Sequence, residues 1–287
     1  MSTTKKVSEF FDNLGASAKG VVKIILQSRP THTEKAVDAE KPLIILANGP
    51  SLRQTIDEYG VVLKEFPTLA VNFAANTPEF RSIKPNYYVL ADPHFFKASY
   101  QPNIKLLWEN IGKVDWEMRL FIDRRYLKTF RTSVKLPECV KLDAFNAVGV
   151  EGFGGFEKIA YSKGLAMPRP RNVLIPSIMI GIALGYKNIY LCGADHSWMR
   201  DLHVTDENEV VSGMNHFYKD DNKEIERSRN EYRSYRLHQI IQSFYTAFLS
   251  YHKIRRFADS RNIKIFNSTP GSYIDAFERR ALGEIRQ

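Results

Sequence analysis

The sequence predicts an α/β fold built on a mostly parallel, Rossmann-like sheet, and three observations carry that prediction. Short, wholly apolar runs such as Leu43-Ile44-Ile45-Leu46-Ala47 recur along the chain, as strands buried on both faces require. Helical segments separate these runs, the alternation that parallel crossovers need. Each run stops at polar residues, and in such sheets ligands bind at the carboxyl ends of the strands.

Taken in order, residues 1–40 stand apart. Phe11, Leu14, Ala18, Val21 and Ile25 recur at helical spacing, with Phe10 and Val22 beside them and Lys5, Lys6, Lys19 and Lys23 mostly elsewhere on the wheel. This is an amphipathic helix, suited either to an anionic membrane surface or to docking on its own domain or a partner. Ser28 to Lys41 reads as a linker. The remaining chain, 41–287, reads as one ligand-binding domain. Its first strand ends at once in Asn48-Gly49-Pro50-Ser51-Leu52, and a helix opens near Ser51. Thr68 to Phe73 and Asn86 to Ala91 are further strands ending at Asn72 and Asp92, and Met118 to Ile122 is another. Residues 146–164, with Gly149, Gly152, Gly154, Gly155 and Gly164, read as loop. A helix from Ser177 to Leu184, capped by Gly185, feeds a strand from Lys187 to Cys192 that ends in Gly193-Ala194-Asp195. Residues 196–232, polar and charged, read as a lid; a helix from Glu231 to Ser260 and a strand from Ile263 to Phe266, ending at Asn267 to Pro270, complete the domain.

The chain has 287 residues, 44% of them hydrophobic, which supports a sizeable core and excludes collagen-like and disordered classes. Lys and Arg exceed Asp and Glu by 41 to 32, a net charge of +9 that suits an anionic partner. The excess is spread along the chain without a recognisable nucleic-acid signature, so no nucleic-acid partner is expected. Cys139 and Cys192 are too few for a disulfide framework or a cysteine zinc site, and with no signal-peptide pattern the expected location is the cytoplasm. The longest nearly apolar stretch, Val173 to Tyr186, is too short to span a bilayer.

The chemistry concentrates at strand ends. The Asn48-Gly49-Pro50-Ser51 turn presents backbone N–H groups at a helix N-terminus, a place for a phosphate or carboxylate, with an ordinary turn capped by Ser51 as the alternative. Asn72 and Asp92 each follow a strand and either converge on the same ligand or cap local turns. Asp195 and His196 are adjacent, and His196, His203, His216 and His238 are candidate general bases because imidazole titrates nearest neutrality. Without an HExxH or a tight His cluster no dedicated metal site is expected, although Asp220-Asp221 could recruit a divalent ion together with phosphate.

These stretches together resemble one family. LIILANGPSL (43–52) is similar to the IIAGNGPSL opening of the bacterial lipooligosaccharide sialyltransferases, and IGIALGYKNIYLCGAD (180–195) to their IALGYKEIYLSGID run. LAVNF (69–73) and LADPHFF (90–96) stand at two further donor-contacting segments. The same motifs occur in the related motility accessory factor and 6-hydroxymethylpterin diphosphokinase-like (DUF115) proteins. The resemblance implies a GT-A-like variant of the Rossmann sheet. It also implies that Asn48, Gly49, Pro50, Ser51 and Asn72 contact a nucleotide-sugar donor, with Arg171, Asn172, Asp195 and Tyr235 nearby. Asp92 replaces the family's asparagine. Tyr235 and His238 reproduce the family's tyrosine-to-histidine spacing, which makes His238 the implied base. The family's two lid tyrosines are replaced at about their places by Ser197 and His203, so His196, His203 or Tyr218 would assist leaving-group departure.

The implied activity is inverting transfer of a sugar, from a CMP-sugar as first expectation, to a surface glycan or glycolipid acceptor, as in lipopolysaccharide or capsule synthesis. No cofactor beyond that cosubstrate is required. One alternative is a diphosphokinase-like transfer from ATP with magnesium; another is a non-catalytic nucleotide-binding protein at the membrane. Where residues 1–27 meet a membrane and do not dock on the domain or a partner, the contact would be peripheral, at the inner face of the cytoplasmic membrane, and a homo-oligomer remains open.

Overall fold

In the computed structural model, which describes residues 3–98, 100–200, 202–211 and 235–286, the apolar runs form one eight-stranded parallel sheet. Its strands are β1 (Leu43–Leu46), β2 (Thr68–Val71), β3 (Tyr87–Leu90), β4 (Met118–Asp123), β5 (Val140–Phe145), β6 (Asn188–Cys192), β9 (Lys264–Asn267) and the short β10 (Glu278–Arg279). Their order is β10-β9-β6-β1-β2-β3-β4-β5. The small strands β7 (His203–Val204) and β8 (Val210–Val211) form a separate antiparallel hairpin.

The sheet is covered on both faces, which is why its strands read as continuous apolar runs and not as alternation. Leu43 and Ile45 of β1, Val89 of β3 and Ile189 and Leu191 of β6 pack into one core with α8 (Leu174–Leu184) and α9 (Leu237–Asp259). The alternate residues Ile44, Leu46, Tyr190 and Cys192 pack on the opposite side with α2 (Ser51–Glu65). Further along that side, Tyr88, Leu90, Leu120 and Ile122 meet α3 (Pro78–Ile83), α5 (Pro102–Ile111) and the short α4 (His94–Lys97) and α6 (Leu127–Ser133). The two-residue period of a strand therefore distributes each run between two cores.

Three elements differ from the sequence reading. Residues 146–164 are not all loop: α7 (Gly154–Ser162) occupies the second half, because Gly154 and Gly155 fall in its exposed first turn while Ala160 and Tyr161 are buried. Strand β5 escaped notice because its interior, Lys141 to Ala144, is not fully buried and carries two charges. α8 begins three residues before Ser177, its first turn capped by the Asn172 side chain, which accepts from the N–H groups of Leu174 (3.1 Å) and Ile175 (3.4 Å).

Helix α1 (Thr3–Gln27) is amphipathic and lies against the domain. Gly20 is buried, close to Phe156 and Val150, and Ser17 Oγ accepts from the Phe153 N–H (3.0 Å). Residues 28–41 carry no helix or strand and are held to the domain along their length. Asn146 takes the Arg29 N–H at 3.1 Å and donates to the Arg29 carbonyl at 2.8 Å, Ala36 N–H donates to Leu184 O at 2.9 Å, and Tyr186 donates to Asp38 at 3.0 Å. Among the described residues no helix is long and apolar enough to cross a membrane. Most of the expected lid, 212–232, and with it Tyr218 and Asp220-Asp221, lies outside the described residues.

Candidate active site

The strand order creates the site. From β1 the chain runs outward through β2, β3, β4 and β5, then returns to place β6 on the other side of β1. Loops leaving β1 and β6 diverge at this reversal, and the gap at the carboxyl ends is where open α/β sheets bind ligands. A crevice of about 600 Å³ lies there. Its wall takes Asn48, Gly49 and Pro50 after β1, Asn72 after β2, Asp92 after β3, Arg125 after β4, Arg171 and Asn172 before α8, and Asp195 to Trp198 with Arg200 after β6. Every strand-end residue expected to bind a donor lines this crevice except Ser51, which lies just behind Gly49, and Tyr235.

The N-terminus of α2 already faces an anion supplied by the chain. Asp195 accepts from Ser51 Oγ at 2.7 Å and from the Ser51 N–H at 3.3 Å, and the Gly49 N–H donates to the Gly193 carbonyl at 2.8 Å. A side chain at position 49 would collide with the Asp195 carboxylate and stand 2.6 Å from the Gly193 carbonyl oxygen, so glycine is needed for the β1 and β6 loops to meet. The 193–195 loop is braced from behind by the end of β9. Ala194 N–H donates to Thr269 Oγ1 (2.9 Å), Ser272 Oγ to the Ala194 carbonyl (2.6 Å), and Tyr273 N–H to the Asp195 carbonyl (2.8 Å). Asn267 to Pro270, expected to face a ligand, do not line the crevice; they hold the loop that does.

Three asparagines lining the crevice carry buried polar atoms with no hydrogen-bond partner among the described residues. These are both amide atoms of Asn48, Oδ1 of Asn72 and Nδ2 of Asn172. Orphaned buried amides are costly and rare, so their clustering at one crevice marks a place where a polar ligand completes them. Asn72 and His196 also have left-handed backbones, each with φ 51°. Such conformations are sparsely populated for residues other than glycine and gather at ligand sites.

Arginines supply the charge. Arg125 is pinned by the buried Asp123, whose carboxylate accepts its Nε at 2.8 Å and its Nη2 at 2.5 Å, while the rest of the guanidinium stays half exposed on the wall. Arg171 and Arg200, both exposed, complete a basic rim. Arg125 and Arg200 were missed by sequence reasoning. For Arg125 the signal was present, since Asp123-Arg124-Arg125 ends a strand as Asn72 and Asp92 do.

Of the candidate histidines among the described residues, only His196 lines the crevice; His216 lies outside them. It is buried, 4.2 Å from the Trp198 ring, with Nε2 2.7 Å from the Tyr251 hydroxyl, which also reaches Asn172 Oδ1 at 3.0 Å. Burial lowers its pKa from 6.5 to about 3, so the ring is neutral at physiological pH. His203 is exposed on β7. His238 is exposed in the first turn of α9 and does not line the crevice. The helical period puts it on the face that further along bears Tyr245, Leu249 and His252. Those three residues, with Met199, Phe248, Tyr273 and Asp275, line a second cleft of about 330 Å³, whose Tyr273 ring lies 5.9 Å from the Arg200 guanidinium. Tyr235 is exposed just before α9. No group of three or more His, Cys, Asp or Glu able to hold a metal is found among the described residues.

The sequence matches no protein-family model and no curated protein. Among solved structures the fold is similar to that of a MAf glycosyltransferase from Magnetospirillum magneticum AMB-1, with 12% identity and a TM-score of 0.49 over 88% of this chain. The alignment covers 35% of that protein, so the present chain spans about a third of its length.

Proposed function

We propose that this chain is a glycosyltransferase that moves a sugar from a nucleotide donor to a hydroxyl of a glycan or glycolipid, with a CMP-activated acidic sugar as the donor. The observation that carries this reading is the set of orphaned amides of Asn48, Asn72 and Asn172 around a crevice rimmed by Arg125, Arg171 and Arg200. Such a wall offers donors and acceptors to ribose, base and sugar hydroxyls, and positive charge to phosphate and a sugar carboxylate. The strand-end motifs that resemble the lipooligosaccharide sialyltransferases occupy this same wall.

In the proposed reaction the acceptor oxygen attacks the anomeric carbon as the bond to the phosphate oxygen breaks, with inversion at that carbon. The electron pair leaves on the nucleotide phosphate, where the arginine rim and the asparagine amides stabilise the growing charge. The hydroxyl proton passes to a base, for which His238 is proposed from its spacing after Tyr235. The cleft beside its face of α9 would receive the acceptor. His196 is neutral and its ring is hydrogen-bonded by both the Tyr251 hydroxyl and the Ala194 backbone, so it would assist leaving-group departure by shaping the wall and not by donating a proton. His203 and Tyr218 are the other candidates for that assistance.

The test is a thermal-shift screen against CMP, UDP, GDP, ADP and ATP, followed by an assay for CMP release from a CMP-sugar. Stabilisation by CMP that Asn48→Ala removes, with turnover that His238→Ala removes, is the expected result. Stabilisation by ATP with magnesium, and AMP as product, would move the site to diphosphoryl transfer. Nucleotide binding without any turnover would make the chain a binding protein.

A further inference from the structure

Helix α1 leaves the larger part of its apolar surface uncovered. Phe11 is 62% exposed, Ile25 68% and Leu26 67%, and Val7, Phe10, Leu14, Val21 and Val22 are also exposed. These residues fall on one side of the helical wheel. The seat of the helix is a different, narrower side, where Ser17, Gly20 and Ile24 meet the domain. Docking therefore fixes how α1 is rotated and takes little of its apolar face, Phe10 reaching the Phe153 ring at 5.3 Å. An exposed stripe of this size costs solubility unless something covers it.

We propose that the cover is an anionic lipid bilayer, with α1 lying flat in its interface. Charge selects this occupant. Lys5, Lys19 and Lys23 follow one another along one flank of the stripe, where an in-plane helix presents cations to headgroups. Lys19 and Lys23 also line a groove of about 310 Å³ between α1 and the domain, beside Phe11 and with Arg169 on its far wall. Asp12 and Glu151 share that groove; Glu151 pairs with Arg169 at 2.7 Å, and the Lys23 ammonium makes one long, exposed hydrogen bond to the Gly149 carbonyl (3.4 Å), so both lysines keep donors for a lipid phosphate. The protein as a whole carries +9.

The placement gives attachment a direction. The loop leaving the carboxyl end of β5 supplies Ala147 to the crevice wall and Gly149, Val150 and Phe153 to the seat of α1. Arg169 and Arg171, two residues apart, line the α1 groove and the crevice respectively. A bilayer under α1 thus lies at the same edge of the sheet as the ligand crevice. This proposal does not depend on which reaction the crevice performs.

The experiment is co-sedimentation of the full chain with vesicles of pure phosphatidylcholine and of equimolar phosphatidylcholine and phosphatidylglycerol, with light scattering of the protein alone. Strong binding to the anionic vesicles and weak binding to the neutral ones is expected. Phe11→Asp with Ile25→Asp should weaken it by roughly a hundredfold, since each side chain withdrawn from an apolar phase costs about tenfold or more. Lys19→Gln with Lys23→Gln should weaken only the anionic component, and added salt should act likewise. Both variants should keep the parent circular dichroism and melting temperature, because neither touches Ser17, Gly20 or Ile24 and the Lys23 contact with the Gly149 carbonyl is long and exposed. Binding that survives the aspartate pair, or no binding to either vesicle, overturns the proposal. A dimer that the aspartate pair converts to monomer, without vesicle binding, would assign the stripe to a second copy of the chain.

Discussion

His196 shows how one side chain couples stability to pH. Its folded pKa of about 3 lies below the ordinary 6.5, so between those values the unfolded chain binds the proton more readily than the folded one. Stability from keeping the ring neutral is complete above about pH 6.5 and is lost as pH falls toward 3, at no more than about 1.4 kcal/mol per pH unit. Melting temperature measured over that range should fall more steeply for the parent than for His196→Asn; parallel curves would show that another group dominates. Gly49 acts through space and not through charge. Gly49→Ala must push Asp195 or the Gly193 carbonyl aside, and we expect a loss of about 2 kcal/mol or more together with weakened ligand binding. Urea unfolding of the variant measures the first, and nucleotide titration the second.

Elements that bear no chemistry decide whether the site holds its shape. The end of β9 braces the 193–195 loop through Thr269, Ser272 and Tyr273, so the strand-end polarity of Asn267 to Pro270 serves support and not contact. Residues 28–41 are a comparable case. Their composition reads as a linker, yet the buried Asn146 amide engages Arg29 through two hydrogen bonds and also donates to Gly164 O at 2.8 Å. Asn146→Ala strands these backbone groups, and a loss of about 2–3 kcal/mol is expected. The stretch should also become the first site of limited proteolysis. Unchanged proteolysis would show that the other contacts of the strap suffice. The elements that periodicity identified, α1, β1, α8 and β6, have uniform patterns. β5 and α7 were obscured because half-buried charges and helix-initiating glycines imitate loop composition.

At the scale of the molecule, the reversal between β1 and β6 gathers residues from seven separate stretches of chain into one wall. On the proposed reading the arginine rim, in a chain of net charge +9, attracts an anionic nucleotide, and such attraction is screened within about 10 Å at moderate salt. Nucleotide affinity should therefore fall roughly three- to tenfold as salt is raised from low to high, read by isothermal titration. An affinity indifferent to salt would mean that the asparagine amides bind alone. A nucleotide at a hundred times its Kd should add about 2.7 kcal/mol to folding stability.

Six of the eight strands of the main sheet, their burial on both faces and the strand-end residues Asn48, Asn72, Asp92 and Asp195 were legible in the chain, because hydrophobic periodicity and turn chemistry are local properties. So was the amphipathic character of α1. Local pattern could not reveal that Asp195 caps the helix opened by Ser51, 144 positions away, or that Asp123 would turn Arg125 toward the crevice. Nor could it separate His196, buried and neutral against Tyr251, from His203 and His238, which stand in solvent. A histidine's titration depends on what surrounds it, and those neighbours are brought together by strand order, which no window of sequence contains.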